Sequence, residues 1–124
     1  MKPNIKSARP FIGSENFETS SRFYRDLGFD EVTLGPGFSL FRWNETFFYL
    51  QDAYVKDWID NSMIFVETED ADAFWSYLLS LGLTEKYDKV KLMPVRTLPW
   101  EKECFVVDPS GILWHFGEFF KESL

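Results

Sequence analysis

The chain holds one histidine, His115, and one cysteine, Cys104, so its chemistry is bounded at once. A single imidazole cannot make a two-histidine metal motif, and no familiar Ser-His-Asp or Cys-His triad can be assembled around it. His115 itself has two readings. Histidine changes charge nearest neutral pH, so it can hydrogen-bond or stack on a ligand; otherwise it is a half-buried ring satisfied by a backbone carbonyl. Cys104 reads as a small buried strand residue, because only Lys102 nearby would lower a thiol pKa. Arg9 is a permanent cation that either grips a ligand carboxylate or phosphate or pairs with an acidic neighbour. The excess of acidic over basic residues, 20 to 13, weighs for the pair. Phe38, Trp43, Tyr49 and Trp100 offer rings that stack on planar groups and favour cations. Their other reading is packing in a core or a dimer interface. Glu101, Lys102 and Glu103 read as a charged run in a solvated loop. Gly35-Pro36-Gly37 is a turn and not a phosphate cradle, since Pro36 lacks a donor and no lysine follows.

The elements that must position these residues fall into two similar series. Residues 8–13 read as a short strand, with Pro10 suggesting an edge or a strand start. Asn16 to Ser21 carry capping chemistry, and Phe17, Ser20, Phe23, Tyr24 and Leu27 follow at helical spacing until Gly28. Strands are expected over 29–34, 38–43 and 46–51, with turns at Gly35-Pro36-Gly37 and Asn44-Glu45. A short helical connector is expected between Asp52 and Asn61. The second series opens with a strand over 62–67. Acidic Asp70 and Asp72 then begin a helix that runs through Phe74, Tyr77, Leu78 and Leu81 to Gly82. Strands around 89–98, 104–107 and 112–117 complete it, with Asp108-Pro109-Ser110-Gly111 as the last turn. The stretch Phe23 to Phe29 overlays Tyr77 to Leu83 in its apolar, Leu and Gly positions, which marks a structural repeat. The expected architecture is α+β, one domain over 1–124, with pseudo-repeat halves at about 8–52 and 61–118.

Composition narrows the class further. At 124 residues with 45% hydrophobic content, the chain is long enough to bury a core. Its 14 Phe, 5 Trp and 5 Tyr make 19% of it; burial governs where most aromatic rings go, so most are expected to fill a core and a few to face a cavity. The net charge of −7 and absence of a basic patch argue against nucleic acid as a partner. No apolar run reaches the ~20 residues of a membrane span, and the amino-terminal residues lack a signal-peptide core. One unpaired cysteine fits a reducing compartment. The expectation is a soluble cytoplasmic protein.

Ser20-Ser21-Arg22-Phe23-Tyr24-Arg25-Asp26-Leu27-Gly28-Phe29 is similar to the first-helix signature of the glyoxalase/bleomycin resistance/dioxygenase, or vicinal oxygen chelate, superfamily. Cys104 to Phe116, with Asp108-Pro109-Ser110-Gly111 at its centre, resembles the closing hairpin of the same proteins. Pro99-Trp100 and Phe48-Tyr49-Leu50-Gln51-Asp52 look most like the bleomycin-resistance branch. The resemblance spans about residues 8–118. It implies two βαβββ modules forming an incomplete barrel around a cleft, and a homodimer in which strands or modules can swap between chains. In the superfamily's enzymes the cleft holds a divalent Lewis acid. Its ligand positions fall here on Arg9, on Phe48 or Tyr49, on Asn61 or Ser62, and on His115. One plausible donor of four does not hold an ion, since such sites need at least three. No metal and no cofactor are therefore expected. Phe38 and Trp100 stand where bleomycin-resistance proteins carry groove aromatics, although Glu101 replaces a common Gly after Pro-Trp. The resemblance thus implies a non-catalytic protein that sequesters a cationic or aromatic small molecule, a bleomycin-like drug included, in clefts between subunits. Arg9, Phe38, Trp43, Tyr49, Trp100 and His115 are its expected ligand contacts. The alternative is an enzyme of the superfamily with atypical or metal-free chemistry, a lyase or isomerase using His115 as acid or base.

Overall fold

The structure, a computed structural model, describes residues 1–121. The first module comprises β1 (Phe11–Gly13), α1 (Phe17–Leu27), β2 (Asp30–Gly35), β3 (Phe38–Trp43) and β4 (Thr46–Gln51). The connector forms α2 (Lys56–Asp60). The second module comprises β5 (Met63–Glu67), α3 (Ala71–Ser80), α4 (Leu83–Lys86), β6 (Lys91–Thr97), β7 (Glu101–Val107) and β8 (Leu113–Phe119). Local chemistry sets the helix ends as expected. The Asn16 side chain accepts the Thr19 N–H at 3.1 Å and Asp70 accepts that of Ala73 at 3.0 Å, satisfying orphan first-turn donors. Gly28 ends α1 at φ 135°, a backbone state glycine reaches without a side-chain penalty. The short helix α4 was not expected; its Leu83 is buried in the core.

Each module builds one four-stranded sheet, ordered β1-β4-β3-β2 and β5-β8-β7-β6. In both, the first strand runs parallel to the fourth while the remaining pairs are antiparallel. The α+β class and the two βαβββ modules therefore stand as the sequence indicated. Neither sheet closes into a barrel, and no strand of one pairs with a strand of the other among the described residues.

Alternation along the strands sorts side chains onto two faces. Phe41, Phe48 and Leu50 of the first sheet, with Cys104, Val106, Trp114 and Phe116 of the second, lie in one core with Phe23, Tyr24 and Leu27 of α1. The modules meet across this core, where the Phe48 and Trp114 rings sit 5.3 Å apart. At its centre Trp114 Nε1 donates to the Tyr24 hydroxyl at 2.9 Å, and that hydroxyl donates to Asp108 Oδ2 at 2.5 Å. Asp108 Oδ1 accepts the N–H groups of Ser110, Gly111 and Ile112. The closing turn is thereby tied to the first helix. Burial pushes the Asp108 carboxyl up, against the pull of the Tyr24 hydroxyl and the three N–H groups. Among the described residues no helix is long and apolar enough to cross a membrane.

Candidate functional site

With one face of each sheet committed to the core, the other face carries the residues of chemical interest. On the first sheet the two-residue period puts Phe11 of β1, Phe38 of β3 and Tyr49 of β4 together. Their rings form a stack, with Phe11–Tyr49 centroids 4.8 Å apart, Phe38–Tyr49 5.5 Å and Phe11–Phe38 6.1 Å. Phe11 is 60% exposed, so the stack presents a flank to solvent. Arg9 lies at its margin: its guanidinium sits 4.5 Å from the Phe47 ring centroid, and Nη1 donates to the Tyr49 hydroxyl at 3.3 Å. No carboxylate pairs with Arg9 among the described residues. The ion pair weighed from the charge balance is absent there, and the cation rests on the Phe47 ring.

The free face of the second sheet is different in kind. Glu101, Glu103 and Phe105 of β7 stand beside His115, Gly117 and Phe119 of β8, with Phe65 on neighbouring β5. The solvated loop read for Glu101 to Glu103 is corrected: these residues begin β7, and the two glutamates are only 6% and 3% exposed. Their register sets them beside Phe119 and Gly117 on that outer face, where neighbouring side chains cover them, a pairing no local signal announces. Glu103 Oε1 accepts Arg96 Nη2 at 2.7 Å and Nε at 3.1 Å, while Oε2 lies 3.4 Å from His115 Nδ1. His115 Nδ1 thus faces a carboxylate. Burial and the adjacent Glu103 push the Glu101 carboxyl above its ordinary range, with Arg96 and Trp100 pulling the other way. Burial raises Glu103 too, but hydrogen bonds from Arg96, Glu101 and His115 outweigh it and leave that carboxyl low. Rings wall the cluster: Phe105 is 4.9 Å from His115 and Phe65 is stacked on Phe119 at 5.3 Å.

The other expected contacts divide. Trp100 is 52% exposed in the turn before β7. Trp43 faces the core side, packed on Phe29 at 5.4 Å and Phe74 at 5.8 Å, because its register partner Thr46 shares parity with Phe48. A cavity of about 530 Å³ opens between the residues leading into β1 and the edge strand β5, reached by Pro10, Phe47, Met63 and Phe65. Sequence reasoning passed over Phe11, Phe47 and Phe65, although Phe11 shares strand parity with Arg9. The superfamily's metal positions fit poorly. Phe48 is in the core, Asn61 donates to the Asp57 carbonyl and Ser62 to that of Trp58, and the β5 residue level with His115 is Phe65. No group of three or more His, Cys, Asp or Glu among the described residues is arranged to hold a metal ion. Cys104 is buried and its thiol is pushed up to about 11 by burial, which removes it as a nucleophile at neutral pH.

No family model matches the sequence, and no curated protein matches it in sequence. Solved structures do match. The bleomycin-binding protein from Streptomyces verticillus, complexed with copper(II)-bleomycin, superposes with a TM-score of 0.77 at 20% identity, covering 93% of this chain and 97% of that one. The bleomycin resistance determinant encoded on the transposon Tn5 gives 0.78 at 18% identity, with 94% and 100% covered. An antibiotic binding protein from Streptomyces sp. CB03234 gives 0.72 at 19%, with 95% and 99% covered. At such identities the likeness concerns the fold.

Proposed function

We propose, taking as premise that this chain has the fold of the bleomycin-binding and bleomycin-resistance proteins, that it binds and sequesters a small molecule bearing a planar ring, without chemical change. The observation that carries this reading is the partly exposed stack of Phe11, Tyr49 and Phe38 with Arg9 at its edge. Near-parallel rings prearranged in a compact cluster accept a planar heteroaromatic group at little ordering cost. A second copy completes the cleft in this proposal, because the exposed rings of Phe11 and Phe65 lie on edge strands that no other described residue covers. Trp100 and His115 line the same reading from the second sheet, while Trp43 serves the core. A bleomycin-type drug is the named ligand, supported by the shared fold.

Titration with bleomycin, followed by tryptophan fluorescence, tests the proposal. Saturable quenching at micromolar drug is expected, through exposed Trp100; unchanged emission would remove the drug from the proposal. The enzyme reading would draw on the His115–Glu103 pair as an oriented acid or base. It is told apart by turnover of a candidate substrate that is lost in His115→Gln.

A further inference from the structure

A cavity of about 470 Å³ lies apart from both sheets, between the start of α1, the closing turn and the turn after α4. Two hydroxyls line it. Ser20, fully buried, and Ser110 have their oxygens 3.3 Å apart, and Ser110 Oγ also accepts the Glu15 N–H at 2.9 Å. Of the two hydroxyl protons, only one can lie between the oxygens. The other finds no acceptor among the described residues, so one donor remains for an occupant of the cavity. Arg22 borders the same space in a fixed pose. Its guanidinium sits 5.4 Å from the Tyr87 ring centroid, and Nε donates to the Tyr87 hydroxyl at 3.3 Å. That hydroxyl is anchored in turn by donating to Asp26 at 2.6 Å. The terminal nitrogens of Arg22 have no protein partner among the described residues, and neither has Lys86. A third cation, Lys89, is held by Glu15 at 3.4 Å. Asp88 completes the charged lining, without a cation partner among the described residues. Donors thus outnumber acceptors here, on a chain whose net charge is −7.

We propose that this cavity is a second binding site, for a small phosphomonoester that carries hydroxyl groups beside its phosphate. It stands independently of the binding reading above, because none of its residues lies on a strand of either sheet. A guanidinium already occupied at Nε and on its face presents its two terminal nitrogens together, the arrangement that grips two oxygens of one phosphate. Lys86 adds a point charge, and the spare proton of the Ser20–Ser110 pair serves a third oxygen. A carboxylate ligand, with two oxygens, would leave one of these donors idle. The start of α1 contributes its partial positive charge to the same space. The volume exceeds what a bare phosphate fills and falls in the range of small-molecule sites. The remaining room brings hydroxyls of the ester to Asp88, which accepts from them.

Isothermal titration calorimetry with glycerol phosphate, and separately with inorganic phosphate and with glycerol, tests the proposal. Saturable binding of glycerol phosphate at millimolar concentration or below is expected, with inorganic phosphate weaker and glycerol giving no heat. Arg22→Gln and Lys86→Gln should each weaken glycerol phosphate by at least about tenfold, the effect of one charge-assisted hydrogen bond. Lys86→Gln removes a charge without removing a contact within the described chain, so its effect cannot be laid to misfolding. Lys102→Gln removes an equal charge at the far end of β7 from the closing turn and should leave the affinity unchanged. No heat from glycerol phosphate would overturn the proposal. So would equal weakening by Lys102→Gln, the mark of general attraction to surface lysines. Inorganic phosphate bound as tightly as the ester would likewise defeat the assignment to a hydroxylated phosphomonoester.

Discussion

Tyr24 shows how much one hydroxyl can organise. It donates to Asp108, accepts from Trp114, and is wholly buried. Tyr24→Phe leaves a carboxylate oxygen and an indole N–H unpaired in the core, and should cost about 2–4 kcal/mol in urea unfolding. Glu101 supplies a second test, in pH. Its native carboxyl holds a proton more tightly than the unfolded chain, whose value is near 4.5. Its stabilising contribution is therefore full below that value and lost as pH rises through the native one. Glu103, held low, behaves oppositely and loses its contribution as pH falls. Glu101→Gln should accordingly flatten the decline in urea midpoint between the carboxyl range and neutrality, while acid sensitivity remains. An unaltered profile would mean that Glu101 titrates normally.

Among the elements, β1 and β8 carry the closest approaches. A Cβ on Gly13 would lie 2.3 Å from the Ala53 carbonyl oxygen, backbone that cannot swing aside, and the next residue's N–H bonds that same oxygen at 3.0 Å. Gly13→Ala should therefore destabilise by about 3 kcal/mol or more, read from the thermal midpoint. At Gly117 the obstacle is chiefly the Phe65 ring, which can turn. Gly117→Ala is expected to cost less, about 1–3 kcal/mol, read from the same thermal midpoint. Most elements were legible because their signals are local: Asn16 and Asp70 cap, Gly28 terminates, and β3 and β4 fall on the expected residues. The start of β7 was not. Its Glu-Lys-Glu run resembles a solvated loop, and only pairing with β8 buries its two glutamates.

For the whole molecule, the uncovered faces are the governing feature. Phe11, Met63 and Phe65 leave apolar surface exposed on the edge strands of both sheets, and contiguous apolar patches of that kind mark an interface. Light scattering should give twice the 14.7 kDa chain mass. Combining Phe11→Asp with Phe65→Asp should return a monomer with unchanged far-ultraviolet circular dichroism. A wild-type monomer would end the two-copy cleft while leaving the aromatic stack intact.

The amino-acid order alone determined the two-module α+β plan, the helix ends, the turns and the parity of each strand, because each depends on neighbours a few residues away. It also marked Arg9, Phe38, Tyr49, Trp100 and His115 as residues of interest. The tertiary structure decided which parity met the core. It sent Trp43 inward against Phe29 and Phe74, set Glu103 against His115, and left Glu101 beside Gly117 with one oxygen unpartnered. These outcomes rest on contacts between distant strands, where packing and register choose the face and burial then sets the charge.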